Sequence, residues 1–315
     1  MAAYRRYFPW IALVTIYLVW GSTYLAIAIA VKSIPPFFAA FARFLVAGVL
    51  MAGLAYFFDA KERRPNRRDF LDYGIIGVLL LGFGNGFVMW SEQRIPSGIA
   101  ALIVATVPLW TTLLDGFRPG GSPWTLRGWI GTIIGLLGVA FIARPGGGPL
   151  APGHLAGILA LQFAAVSWTI GALYTQSLKK PLPVFTASAI EMVIGSLALL
   201  LESFVMREDL GGLAQVPAAA WGALGYLVVF GSLIGFTAFA YCLTVLPAST
   251  VSTYAYVNPV VAVALGAFIL GEPVSAGLLG GALLILLAVV LTTRRPKARQ
   301  SPPPNAAVPA LEDAA

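Results

Sequence analysis

Histidine occurs once in this chain of 315 residues, at His154, and cysteine once, at Cys242. A single cysteine excludes an internal disulfide and any multi-cysteine metal site. Cys242 reads as a small apolar helix residue. A single histidine at a loop edge excludes a paired-histidine zinc motif and a conventional Ser–His–Asp triad. No P-loop is present, so the chain does not hydrolyse ATP by itself. No catalytic residue, metal site or cofactor is expected. Charge is also scarce: 10% of residues are Asp, Glu, Lys or Arg, against about 25% in an ordinary soluble chain, while 59% are hydrophobic.

The charges are bunched between long apolar runs. Ten such runs can be read, over 10–30, 36–58, 70–91, 97–117, 125–143, 153–176, 183–206, 218–242, 247–270 and 274–293. Each is close to the roughly 20 residues that a membrane-spanning helix needs. They are unbroken rather than alternating, which disfavours barrel strands. The fold class is an all-α polytopic membrane protein with the lipid bilayer as its solvent.

The net charge of +7 invites a nucleic-acid reading, and the placement of the charges rejects it. Lys61, Arg63, Arg64, Arg67 and Arg68 share one loop; Arg294, Arg295, Lys297 and Arg299 follow the last run. With the N-terminus inside, the outer loops keep only Lys32, Arg94, Arg144 and Arg207. This is the positive-inside bias, and it predicts both termini in the cytoplasm. "YRRYF" before the first run and "AIA" within it resemble a signal peptide. That reading is rejected because the same segment recurs later as an internal helix. The tail 296–315, rich in Pro and Ala without periodicity, is expected to be disordered and cytoplasmic.

The recurrence is visible by eye. "WGSTYLAIAIAVKSIPPFFAAFARF" lies over "WTIGALYTQSLKKPLPVFTASAIEM" at an offset of 148, pairing Trp20 with Trp168, Pro35 with Pro183 and Arg43 with Glu191. At an offset of 151, "RIPSGIAALIVATVPLW" matches "VLPASTVSTYAYVNPVV", pairing Pro96 with Pro247 and Pro108 with Pro259. Two five-helix repeats are expected, over 8–145 and 153–295. Five is odd, so the second copy is threaded inversely. A 5+5 inverted repeat is the usual construction of an alternating-access transporter, with its substrate site near the midplane between halves. A duplicated scaffold, a channel or a membrane-embedded enzyme is the rival reading.

Several short motifs then carry a resemblance. "VWGSTYLA" in the first helix, "VSWTIGALY" in the sixth, Arg43 in the second and "LGEPVS" (270–275) between the last two resemble the drug/metabolite transporter superfamily, EamA type. The likeness covers about residues 8–295. The first half departs from the pattern, with "RPGGSPW" (118–124) where an LGE-type turn is expected. The aromatic-rich helices are similar to those of YddG-type exporters of aromatic amino acids. The resemblance implies a bacterial inner-membrane exporter of small metabolites. It also implies a central cavity walled by helices three, four, eight and nine, with one and six carrying the paired tryptophans.

Arg43 sits in mid-membrane, where a charge costs about 2.5–3.5 kcal/mol and must face protein or water. It either grips an anion such as a carboxylate with its planar fork or braces helix two. Glu191 is the candidate partner or a proton carrier, since burial opposes ionisation; Glu92 is the other candidate proton site. In "GFGNGFVMWSEQR", Asn85, Met89 and Glu92 share a face. Asn85 is a cavity residue or a helix–helix hydrogen bonder. In helix nine, Ser249, Ser252, Thr253 and Tyr256 form one polar stripe, and Thr250, Tyr254 and Asn258 a second. Pro108 and Pro259 are candidate gating kinks or static ones. Trp10, Trp124 and Trp221 belong to the interfacial belt. Trp20, Trp90, Trp110, Trp168, Tyr241 and Tyr256 are candidate substrate walls, with core packing as the alternative. "GTIIG" (131–135) and "GLLGG" (277–281) are packing motifs. Amino acids with aromatic or apolar side chains are the expected cargo, and hydrophobic cations or drugs the runner-up.

Overall fold

Every described apolar run is helical, and no strand occurs among the described residues of the computed structural model, which are 2–59, 62–117, 125–143, 153–246, 251 and 254–293. The 118–124 turn, the tail 296–315, Ser249, Thr250, Ser252 and Thr253 lie outside them. The described helices number ten: α1 (Ala2–Ala30), α2 (Pro36–Phe58), α3 (Arg67–Ser91), α4 (Ser97–Asp115), α5 (Leu126–Ala143), α6 (His154–Ser177), α7 (Val184–Val205), α8 (Ala218–Tyr226 continued by Leu227–Ile234 and Gly235–Val245), α9 (Tyr254–Leu270) and α10 (Ala276–Thr293). Seven contain a stretch long and apolar enough to cross a membrane; the apolar parts of α5, α9 and α10 are shorter. A 17-residue helix is about 26 Å long, only slightly under the roughly 30 Å of bilayer hydrocarbon. Large apolar side chains point outward, as with Phe268 at 90% exposed and Leu126 at 77%, which suits lipid contact rather than water. The chain is an integral membrane protein.

Helix α2 packs most extensively on α7, and α5 on α10. Helix α1 lies against α8 and α9, while α6 lies against α3 and α4. Helix α2 also meets α8, α7 meets α3, and α4 meets α9. Close crossings depend on glycine. A Cβ on Gly77 would run into the main-chain carbonyl of Glu191 on α7, and one on Gly195 would come within 2.7 Å of the Gly77 carbonyl. Neither neighbour is a side chain that can swing away, so α3 and α7 touch backbone to backbone there.

Two helices depart from the straight α form expected of them. Val78–Gly86 in α3 and Leu227–Ile234 in α8 are π-helical. The spaced glycines of each, Gly82/Gly86 and Gly231/Gly235, weaken the α ladder, and the carbonyls the π turn leaves open are claimed by neighbouring side chains. Ser167 Oγ on α6 donates to Leu79 O at 2.8 Å, and Trp20 Nε1 on α1 donates to Gly231 O at 3.2 Å.

Helix starts follow one constraint. Helix α3 caps itself, with Asn66 Oδ1 accepting from the Arg68 and Asp69 N–H groups and Asp69 returning a bond to Asn66 N. Helices α2, α4 and α7 start after Pro35, Pro96 and Pro183, whose side chains accept nothing. Their open N–H groups are satisfied by acids from elsewhere in the chain. Glu208 accepts from Phe37 and Phe38 N–H at 2.9 Å each; Glu272 accepts from Ser97 and Gly98 N–H at 2.8 and 3.1 Å. Asp59 Oδ2 accepts from Thr186 N–H and Oγ1 at 2.8 Å. Left-handed residues aim two of these acids: Arg207 (φ 53) ends α7 before Glu208, and Gly271 (φ 68) ends α9 before Glu272.

Gly77→Ala is expected to lower the thermal unfolding midpoint in detergent by about 1–3 kcal/mol of stability, whereas Gly53→Ala, which meets nothing within 4 Å, should not lower it. Glu208→Ala should cost about 1–3 kcal/mol through the lost charged cap, and an unchanged midpoint would show that the cap carries no load.

Candidate functional site

Arg43 is 3% exposed and lies at the junction of α1, α2 and α8. Its Nε donates to Ser232 Oγ at 3.0 Å, its guanidinium carbon stands 4.6 Å from the Phe44 ring centre, and Nη2 lies against Gly231. Nη1 is buried with no partner. The expected alternative of an ion pair with Glu191 is not formed; the described ion pairs are Arg63–Asp69 and Arg68–Asp72. Glu191 lies half-buried on α7, where its main chain abuts Gly77. A serine hydroxyl on a π turn thus braces a guanidinium that keeps one donor edge free.

The same glycine also holds Trp20. While Nε1 donates to Gly231 O, the indole packs against Phe236, Phe239 and Tyr254 at centroid distances of 5.6, 5.1 and 5.2 Å. An aromatic cluster and a cation with an open donor therefore share one segment of α8. Asn258 on α9 is 7% exposed, and its amide nitrogen reaches the carbonyls of Tyr254 and Tyr17 at 3.2 Å. It links α9 to α1 near this cluster. Gly21 permits the crossing, since a Cβ there would collide with Val261.

Tyr241 packs on the same apolar cluster as Trp20, Phe239 and Tyr254, while the other candidates lie apart. Trp110 Nε1 donates to Gln162 Oε1 at 2.9 Å, tying α4 to α6. Trp168 packs against Gly84 of the α3 π segment. Asn85 Nδ2 reaches Leu80 O at 3.3 Å within its own helix, and Met89 is fully buried in the core. The Arg94 guanidinium covers the Trp90 ring at 3.5 Å, and its Nη1 donates to Trp90 O at 2.7 Å. Tyr241 meets Phe8 edge-on at 5.1 Å, and Tyr256 packs against the α4–α5–α10 core. Pro259 lies inside continuous α9, but α4 breaks at Ala105–Thr106 and Pro108 restarts it. The two matched prolines therefore act differently. Thr253 is outside the described residues.

Sequence reasoning missed four contributors. Ser232, Phe236 and Phe239 carry no signal of their own, although "FGSLIGF" repeats the glycine spacing of "GFGNGF". Glu202 on α7, with both carboxyl oxygens buried and unpartnered beside Gly82 and Gly86, was legible as an acid in an apolar run. At one end of the bundle, Phe58, Asp59, Glu62, Arg63 and Pro181–Pro183 line a cleft of about 400 Å³.

Comparison with known proteins agrees with this architecture. The EamA-like transporter family model matches residues 8–144 and again 155–294. The chain is 39% identical over 265 residues to the uncharacterized inner membrane transporter YedA of Escherichia coli, covering 84% of this chain and 83% of that one. It is 28% identical over 276 residues to a probable terminal-alkyne amino-acid exporter of Streptantibioticus cattleyicolor, covering 86% and 89%. A solved crystal structure shares the fold at a TM-score of 0.61 and 20% identity, over 90% of this chain and 95% of that one. The duplicated family match spans nearly all the described helices: this chain belongs to the EamA-like transporter family.

Proposed function

We propose that this transporter exports small amphipathic amino acids, with aromatic or apolar side chains, by alternating access through a central cavity. The observation that carries the reading is the unpartnered Nη1 of Arg43 beside the Trp20 cluster. A carboxylate fits a planar guanidinium edge, and a ring-bearing side chain fits an aromatic wall. The amino-acid exporter named among the relatives lends support from outside the structure. Asn258 is the next candidate contact, with Trp168, Trp110 and Tyr256 on the other helices that the cavity reading calls on.

Alternating access rests on a five-plus-five inverted repeat. Three features support it, the first two being that the family model matches twice and that helix packing is itself paired, α1 with α8 and α9 mirroring α6 with α3 and α4. The two π segments also occupy corresponding helices. The basic loops put both termini in the cytoplasm of a bacterial inner membrane. The cargo gradient or protons supply the driving force, with Glu92 and Glu191 as candidate proton carriers. Export of hydrophobic cations is the second reading, favoured by the unpartnered carboxylates of Glu92 and Glu202.

In proteoliposomes, preloaded aromatic amino acids are expected to drive counterflow of labelled ones. A transporter of organic cations would ignore them, and a channel would show no counterflow. Arg43→Lys should weaken cargo affinity about tenfold to a hundredfold, the value of one or two charged hydrogen bonds, with a smaller proportional loss of thermal stability. Equal losses of both would leave Arg43 as a brace alone. Single cysteines in the loops after Phe58 and after Gln176, in a Cys242→Ala background, should label from the same side. Labelling from opposite sides would end the inverted-repeat reading.

A further inference from the structure

The acid that caps α4 has a second acid beside it. Glu272 is held by the Ser97 and Gly98 N–H groups. Close by, at the end of α3, Glu92 is 7% exposed and has no partner for either carboxyl oxygen. Ser97 Oγ, 1% exposed, is likewise unpartnered. The groups facing Glu92 are Glu272 from the α9–α10 turn and Tyr24 from α1, with Tyr254 of α9 beyond Tyr24. On its own turn, Arg94 is committed to Trp90. No described cation answers Glu92.

A buried carboxylate beside a second, half-buried one cannot ionise without strong repulsion. Glu272 has charge-stabilising N–H donors and Glu92 has none, so the proton belongs on Glu92. Burial first, and then the charge of Glu272, hold the Glu92 carboxyl well above the usual carboxylate range.

We propose that Glu92 is a proton-binding site that governs the α4 latch: protonated, it lets Glu272 stay docked on Ser97 and Gly98; ionised, it drives Glu272 away and frees the α4 N-terminus. The proton is exchanged with water at that face, so the latch is closed at low pH and released as pH rises through the range where Glu92 ionises. A matching arrangement occurs at α2. There Glu208 holds the Phe37 and Phe38 N–H groups, and Glu202, whose carboxyl oxygens are buried and unpartnered, lies on the helix that precedes it. If spans alternate as proposed above, both latches lie on the outer face. Taking up external protons would then close that face after cargo has left, which is the order an exporter in exchange for protons requires. That consequence rests on the transport reading; the latch itself does not.

Hydrogen exchange on the full chain in nanodiscs, without cargo, separates the two. The amides of Ser97 and Gly98 are compared between wild type and Glu92→Gln as pH is raised stepwise from about 6, through the range in which a buried carboxyl ionises. Taking the ratio cancels the intrinsic pH dependence of exchange. The ratio should be near one at low pH, and Glu92→Gln should exchange about tenfold more slowly at high pH, the size of one relieved charge repulsion. Glu92→Met, which removes the charge by an unrelated side chain, should behave alike, and Glu272→Gln should exchange fast at both. Equal exchange of wild type and both Glu92 variants at high pH would overturn the latch. Absence of amino-acid counterflow would overturn only the cargo reading.

Discussion

Four of the described helices begin after a proline, which cannot cap them, and three of the four are capped by distant acids. A proline at the N-cap supplies no side-chain acceptor, and the first turn of the helix then presents N–H groups that hydrocarbon will not satisfy. Glu208, Glu272 and Asp59 supply the missing acceptors from distant parts of the chain. Each such bond gathers a charged hydrogen bond and the favourable end of a helix dipole, and each joins helices that apolar packing alone would join only loosely in a membrane. The LGEPVS turn (270–275) reads directly in these terms. Its glycine ends α9 in the left-handed conformation, its glutamate reaches α4, and the following proline prevents the helix from continuing.

The π segments solve the opposite problem, an excess of open carbonyls in mid-helix. Trp20 and Ser167 donate to them, so a residue type suggestive of substrate stacking is also part of the frame. π turns are frequent at functional sites because they present main-chain polarity in the middle of an apolar helix. Here one of them carries Ser232, which holds Arg43 by Nε and leaves Nη1 open. Bracing by Nε therefore leaves the other edge of the same side chain uncommitted.

Most of the architecture was legible before the structure. Ten apolar runs became ten described helices, because an unbroken stretch of about 20 apolar residues in a charge-poor chain admits little else. Helix interiors were less legible. Arg43 pointed to Glu191 through the repeat alignment, but the alignment matches positions, not contacts, and the partner proved to be a serine on α8. Pro108 and Pro259 matched in sequence, yet the helix is broken just before one and runs continuously through the other. Trp90, legible only as an aromatic, is covered by Arg94 four residues on. Pairings across 189 residues, such as Arg43–Ser232, leave no local trace in composition or spacing.

Gly231 and Ser232 are adjacent in the chain, and two different helices hold them: α1 through Trp20, α2 through Arg43. Sliding either helix along α8 would strip a donor from its acceptor in a medium that offers no replacement. The three therefore behave as a single stiff wedge. The interruption of α4 at Ala105–Thr106 lies outside that wedge.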